Sequence, residues 1–384
     1  MNQMQIPHPA SPLLAHCEPS LPALAYYDRQ WFADEQKTIW ARSWVYAGRV
    51  NDLPVMTMRR VEISGQNLIL VRDREGAITA FHNTCRHRGS ELCTEPERKL
   101  NSRLIACPYH QWSYGLDGRL VRTPFVSITP DFDKDDFTLF KVNVKLWNGF
   151  IYLCLADEPP DFADVPDLGA HALDNWPMES LVTSHAFVKT LDCNWKVFWE
   201  NYNECLHCPG IHPELSAAVP IYAKGYMAPN EAPDWTPERQ AEHALREGAM
   251  TWSMNGLACG PEFTTLTEAE RSAGQTFITM LPTMFIVAHV DYVRAVSLKP
   301  SGPEKTELQA EWLFPAETLA QSDFDLGNVV DFATLVMSQD GMACEMNQRG
   351  LKSSKFSQGV LMPQEFDVYR FQSWIRNRMK SGQY

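Results

Sequence analysis

A chain of 384 residues, 45% hydrophobic and 21% charged, has the composition of a soluble globular protein long enough for two domains and a substantial core. Its formal charge of -13 argues against nucleic acid, whose phosphates need clustered Lys and Arg, and no run of about eighteen apolar residues offers a membrane span. The acidic balance suits a basic redox partner or a cationic substrate and does not choose between them.

The N-terminus, Met1 to Leu24, scatters Pro7, Pro9, Pro12, Pro19 and Pro22 and lacks the basic start and apolar run of a secretory signal. A cytoplasmic protein is therefore expected. In a reducing compartment, ten cysteines point to metal or to packed thiols rather than to a disulfide framework. Residues 26–46 predict an amphipathic helix, apolar at Trp31, Phe32, Ile39, Trp40 and Trp44. The segment 1–44 is expected to pack on the catalytic domain.

From Val45 to about Leu155 the chain reads as short strands: Val61–Ser64, Leu68–Val71, Ile78–Asn83, Leu104–Ala106 and Phe150–Leu155. Turn chemistry separates them at Ser64-Gly65, Arg74-Glu75-Gly76, Asp117-Gly118 and Asn148-Gly149. This is a compact antiparallel β domain over 45–157. A Pro- and Asp-rich bridge, Asp157 to Asp167, marks a boundary. The second domain, 158–384, predicts a strand at Thr183–Leu191, a helix over Asn194–His207 and a polar stretch from Tyr222 to Arg271. Strands follow at Thr276–Val293 (broken by Pro282), Val296–Lys299 and Thr306–Phe314, then helices over Asp325–Lys352 and Glu365–Met379. The fold class is α+β.

The first chemical signal is Cys85-Arg-His87-Arg-Gly89, followed by Cys107-Pro-Tyr-His110-Gln-Trp112. Each half offers one thiolate and one imidazole on a short loop. A 2Fe–2S cluster with two Cys on one iron and two His on the other fits this alternation. A structural zinc site uses the same ligand types, but zinc-finger spacing groups the cysteines and then the histidines. Cys93, in the same loop, is expected simply to pack.

The second signal runs from Asn194 to Pro213 and holds His207 and His212. On a continuous helix these two would lie about 140° apart, so Pro209 and Gly210 are expected to end the helix between them. A third ligand must come from elsewhere; Asp340, in the C-terminal helix, is the first candidate and Glu345 its rival. Two His and one carboxylate leave coordination positions open, as in non-haem Fe(II) oxygenases. Cys205 and Cys208 also spell C-x-x-C, a redox or zinc signal; as neighbours of His207 they are expected to point elsewhere on the helix.

Over roughly residues 40–380 the chain resembles the α subunits of the Rieske non-haem iron oxygenases. The resemblance rests on the Cys85/His87/Cys107/His110 set, on Asn194-Trp195-Lys196 through His212, and on Cys344-Glu345-Met-Asn-Gln348-Arg349-Gly350-Leu351. Within that family it is most similar to the quaternary-amine branch: glycine betaine, stachydrine and choline oxygenases. The resemblance implies an N-terminal antiparallel β Rieske domain, a helix-grip catalytic domain (an antiparallel sheet with a long C-terminal helix) and a homotrimer. It implies that Cys85, His87, Cys107 and His110 hold the Rieske 2Fe–2S cluster, and that His207, His212 and Asp340 hold a mononuclear non-haem Fe(II). NAD(P)H electrons would arrive through a separate flavin/iron–sulfur reductase or a ferredoxin. Glu204 takes the place of an acidic residue that, in the family, bridges a cluster His of one chain and an iron His of the next, here His110 and His207. Asn201, one turn earlier, either helps position that site or is a plain helix-surface residue. Nineteen residues separate His87 from Cys107, slightly more than is usual in the family; the polar Glu95-Pro-Glu-Arg-Lys99 is expected to extend a surface loop.

The implied chemistry is O₂-dependent oxidation of a small substrate, with N-demethylation releasing formaldehyde as the leading form. Ring hydroxylation or O-demethylation of an aromatic acid is the alternative, and a ferredoxin-like or structural zinc protein the alternative of another class. A quaternary ammonium is held best over aromatic faces. The catalytic half offers Tyr202, Trp235, Trp252, Phe263, Phe277, Phe285 and Tyr292, most of them core candidates; Trp252, Phe277 and Phe285 are the choices for the pocket.

Overall fold

The computed structural model describes residues 12–232, 236 and 245–381; Trp235 lies outside the described residues. Seven antiparallel strands form the first sheet, in the order Val45–Arg49, Phe150–Cys154, Lys141–Trp147, Ile78–His82, Gln66–Arg72, Thr57–Ile63 and Glu97–Lys99. Two of its hairpins turn on Ser64-Gly65 and Asn148-Gly149, where both residues of each pair have positive φ, the conformation that suits the twist of a two-residue hairpin. Glu97–Lys99, expected as loop, pairs with Thr57–Arg59 as an edge strand. Its charged side chains suit an edge that must not recruit another strand.

The strand Gln66–Arg72 carries the run Leu68-Ile69-Leu70-Val71, buried at every position. Side chains alternate across a strand, so Leu68 and Leu70 join the main core while Ile69 and Val71 pack with Cys85, Cys107 and Trp112. A small three-stranded sheet, Leu104–Ala106, Ser113–Gly115 and Leu120–Arg122, contributes Ile105, Tyr114 and Leu120 to that second core.

The second sheet has five antiparallel strands in the order Val182–Leu191, Lys305–Phe314, Val293–Gly302, Met284–His289 and Gln275–Met280. The expected break at Pro282 is a hairpin between the last two, with a cis Leu281–Pro282 bond. The helix Leu326–Leu351 packs against Val182–Leu191. Asp325 caps it, its carboxylate accepting the Asn328 N–H at 3.3 Å. An antiparallel β domain followed by a sheet with a long C-terminal helix is the α+β, helix-grip arrangement.

The N-terminal helix is shorter than its apolar spacing predicted, spanning Arg29–Thr38. Trp40 belongs to a 3₁₀ turn, and Val45 already starts the first sheet. Glu35, on this helix, is fully buried and reaches the catalytic half: it accepts from Trp31 Nε1 (3.0 Å) and Trp195 Nε1 (2.9 Å) and pairs with Lys196 (2.6 Å). A buried pair satisfied this fully costs about 3–5 kcal/mol when one member is removed.

Candidate active site

The two Cys/His loops close alike. The Gly89 N–H donates to the Cys85 carbonyl (2.9 Å) and the Gln111 N–H to the Cys107 carbonyl (3.1 Å), with Gly89 at φ 76° and Gln111 at φ 60°. The Cys85 and Cys107 thiols are buried and in contact with each other. The His87 and His110 rings meet at 4.7 Å between centroids, and His87 stacks on Trp112 at 4.6 Å. Thiols are thus paired with thiols and imidazoles with imidazoles, the sorting that a 2Fe–2S cluster with Cys on one iron and His on the other requires. His87 Nδ1 is buried without a partner, the state of a ligand atom meant for a metal. The Tyr114 hydroxyl accepts the Arg86 N–H (3.0 Å) and lies 3.2 Å from Cys85 Sγ. Cys93 is buried, its thiol against the Glu95 carbonyl.

The second constellation is built by a broken helix, though not broken where expected. The helix Trp195–Tyr202 ends at Asn203, five residues before Cys208 opens a single turn, Cys208–Ile211. Pro209 therefore starts a helix rather than ending one, consistent with its missing N–H being no loss in a first turn. His207 and His212 stand at the two ends of that turn, with ring centroids 5.1 Å apart. Cys205 and Cys208, expected to diverge along a continuous helix, are instead joined as a disulfide, because the chain turns between them.

His207, His212 and Asp340 bring three donor atoms within 4.8 Å of one another; among the described residues they are the one such His/Cys/carboxylate group, and the four cluster donors form no single-ion group. Asp340 Oδ1 lies 2.8 Å from His212 Nε2 and 3.4 Å from His207 Nε2. The other ring nitrogens are held from outside: His207 Nδ1 by Glu204 Oε1 at 2.5 Å, His212 Nδ1 by Gln339 Oε1 at 2.8 Å. Such partners fix the tautomer so that both Nε2 atoms face a common point. Burial pulls the His207 pKa down, but Asp340 and Glu204 outweigh it and raise it to about 9. Burial likewise pushes Asp340 up, yet the two imidazoles hold it below the usual carboxylate range. Three adjoining donors, charged against one another without a metal, fit a divalent iron site. Glu345 lies outside this group, its carboxylate accepting the Asp192 N–H. Asn201 is half-buried, with Nδ2 3.3 Å from His207 Nε2.

These donors open onto a compact cavity of about 80 Å³. Trp252, Phe277 and Phe285 all line it, joined by Tyr202 and Tyr222. Tyr202 stacks on Phe285 at 4.1 Å, and Trp252 meets Phe277 edge-on at 5.8 Å. Phe263 belongs to a separate core, and Tyr292 is fully buried, its hydroxyl donating to the Trp252 carbonyl. Sequence reasoning missed Gln339, although it adjoins Asp340, and Arg294, a charge within the apolar strand run Val293–Val296 that also reaches the cavity.

Two domain families match the chain: the Rieske [2Fe-2S] domain over residues 43–133 and the ring hydroxylating alpha subunit (catalytic domain) over residues 173–381. A glycine betaine monooxygenase oxygenase subunit from Chromohalobacter salexigens is 32% identical, covering 94% of this chain and 86% of the relative. A carnitine monooxygenase oxygenase subunit from Acinetobacter pittii is 27% identical, covering 89% and 88%. In fold, the chain is similar to a quaternary ammonium Rieske monooxygenase, with TM-score 0.74 at 22% identity over 95% of this chain and 96% of that one. Naphthalene 1,2-dioxygenase from Rhodococcus sp. is similar with TM-score 0.65 at 17% identity, over 94% of each chain. With paired thiols and imidazoles in one half and a two-His, one-carboxylate group in the other, the chain belongs to the Rieske non-haem iron oxygenases as an oxygenase (α) subunit.

Proposed function

We propose that this oxygenase N-demethylates a small quaternary amine of the betaine class and releases formaldehyde. The observation that carries the reading is the placement of the His207/His212/Asp340 group at the wall of a cavity whose other walls are the faces and edges of Tyr202, Phe285, Phe277 and Trp252. A quaternary ammonium is attracted to aromatic faces, more strongly where water is excluded. The similarity to glycine betaine and carnitine monooxygenase oxygenase subunits supports the same class.

Cys85, His87, Cys107 and His110 would hold the cluster, and His207, His212 and Asp340 the iron; together these groups supply electron transfer and O₂ activation. The protein's own residues prepare the site. Glu204 and Gln339 accept hydrogen bonds from the Nδ1–H groups of His207 and His212, leaving both Nε2 atoms free to ligate. The aromatic walls keep water out and would hold an N-methyl group beside the His207, His212 and Asp340 donors. Monooxygenation of that methyl by O₂, with two electrons from the reductase and two protons, gives an N-hydroxymethyl ammonium and water; the former loses formaldehyde and a proton to leave the demethylated amine.

As an oxygenase subunit the chain depends on a reductase; a flavin/iron–sulfur reductase or a ferredoxin using NAD(P)H is the proposed donor, and the cytoplasm the proposed compartment. No helix among the described residues is long and apolar enough to cross a membrane. A homotrimer is proposed in which Glu204 faces the partner subunit's His110. In support, the groove outside Glu204 is lined by the exposed Met346, Phe356 and Val360, and the exposed Tyr109 packs on His110 at 3.7 Å.

The test is formaldehyde release with glycine betaine, stachydrine, carnitine and choline, using reductase, NAD(P)H and O₂. Formaldehyde from one of them in step with NAD(P)H consumption is the expected result. Ring hydroxylation or O-demethylation of an aromatic acid, with no formaldehyde from any quaternary amine, would overturn the reading.

A further inference from the structure

The catalytic cavity contains a cation that neither the metal site nor the fold uses. Arg294 lies on the strand Val293–Gly302, is 5% exposed and lines the same cavity as His207, His212 and Asp340. Its side-chain Nε is buried without a partner. Its guanidinium carbon is 5.8 Å from the Trp252 ring centroid. A buried guanidinium keeps its charge, and an uncompensated buried charge costs several kcal/mol.

The surroundings offer no anion to spare. Asp340 is the carboxylate whose charge Arg294 feels, and it is committed to His207 and His212. Glu204, the other acid on the cavity, is engaged with His207 Nδ1. The hydroxyls of Tyr202, Tyr222 and Tyr292 are also within its electrostatic reach. Nearby, the Trp252 Nε1 and both ring nitrogens of His289 are also buried without partners. His289 is held neutral by burial and by Arg294.

We propose that Arg294 is a specificity-determining residue that receives a carboxylate of the substrate. Resting on the betaine reading, this assigns recognition of the substrate's anionic end to one residue: the carboxylate pairs with Arg294, and the ammonium lies among the aromatic walls toward the iron donors. A guanidinium binds a carboxylate through two parallel N–H···O bonds. An amine with an alcohol or an ester in that place leaves the guanidinium unpaired and the ammonium charge beside it uncompensated, which is disfavoured.

The test uses iron-loaded holoenzyme and matched probes: glycine betaine against its methyl ester and choline, and carnitine against its methyl ester. Binding is read by calorimetry and turnover by formaldehyde. The expected result is at least about 100-fold tighter binding of the carboxylate, the order seen when one partner of a buried charge pair is lost. Arg294→Gln should erase that preference by raising KM, with kcat changed only a few-fold and the cluster spectrum unaltered. Arg294→Lys should restore part of it. A carboxylate no tighter than its ester, or a preference that survives in Arg294→Gln, would overturn the proposal. If benzoate-type acids bind in an Arg294-dependent way while no betaine does, the carboxylate role stands and the quaternary-amine reading falls. If choline or the esters are preferred, the reverse holds.

Discussion

The carboxylate of Glu204 lies 2.5 Å from Nδ1 of His207, three residues further on, while Nε2 of the same ring faces Asp340 at 3.4 Å. One imidazole therefore links an acid at the rim of the site to the acid within it. Glu204 Oε2 also accepts the Leu206 N–H, which ties its orientation to the turn that carries His207.

Replacing Glu204 by Gln keeps an acceptor for the Nδ1 proton and removes the charge. Product formation should fall about tenfold, and approach 100-fold with Ala, the range for losing a partner of a metal-bound His. Iron and sulfide per chain should stay at wild-type values. An unchanged turnover rate would reduce Glu204 to an ordinary surface acid.

Iron binding should depend on pH with a definite sign. In the metal-free chain His207 is raised to about 9, so below that pH a proton must leave before the ring can ligate. Apparent iron affinity should rise with pH, by about tenfold per unit from roughly pH 6 to 9 for one displaced proton, and level off above. Competition with a chelator of known pH behaviour would measure this; a flat profile would contradict it.

Glu200 predicts a stability effect of the opposite kind to most acids. Its carboxyl group is enclosed, and burial raises its pKa to about 7, even though Tyr26 and Gln372 donate to it at 2.7 and 2.9 Å. A pKa raised on folding contributes stability that is present below the ordinary value and lost as pH climbs through about 7. Glu200→Gln keeps the acceptor and removes the titration. Relative to wild type it should gain up to about 3 kcal/mol between pH 5 and 8, visible in urea unfolding at the two pH values. A wild-type difference independent of pH would refute the assignment.

Tyr114→Phe removes the hydroxyl 3.2 Å from Cys85 Sγ. Hydrogen bonds to the cluster's sulfurs raise its reduction potential, so the variant's midpoint should drop by an amount on the order of tens of millivolts. Redox titration of the cluster's visible spectrum measures it, and an unshifted midpoint would mean that the hydroxyl serves only the Arg86 N–H.

What was legible in the sequence was what depends on short spacing. Cys85 and His87, or Cys107 and His110, sit close enough that one loop can aim both, so their alternation reported the metal chemistry directly. The run Leu68–Val71 reported a strand, while its burial on both faces emerges only from the packing. Asp340 could be named as first candidate because two His needed a carboxylate to complete the group, with Glu345 as its rival. The misreadings arose where two neighbours in space compete for the same local signal. Pro209 looks like a terminator, but in a first turn it is an initiator, and only the packing of His207 and His212 around Asp340 decides. Trp40 and Trp44 fit the helical spacing of the segment before them, yet a 3₁₀ turn and the approach to the first sheet claim them. Gln339 and Arg294 act through space: one clasps a histidine more than a hundred residues earlier, the other faces a cavity whose far wall is a different helix. A charge within an apolar strand was the available signal for Arg294.

The most direct test of two iron centres on one chain is iron, acid-labile sulfide and zinc content, with an EPR spectrum after dithionite reduction, for wild type and Asp340→Ala. About three irons and two sulfides per wild-type chain, with a Rieske-type signal, are expected. Asp340→Ala should lose about one iron and keep both sulfides and the signal. Zinc without sulfide, or loss of the cluster signal together with the single iron, would contradict the assignment of separate sites to Cys85/His87/Cys107/His110 and His207/His212/Asp340.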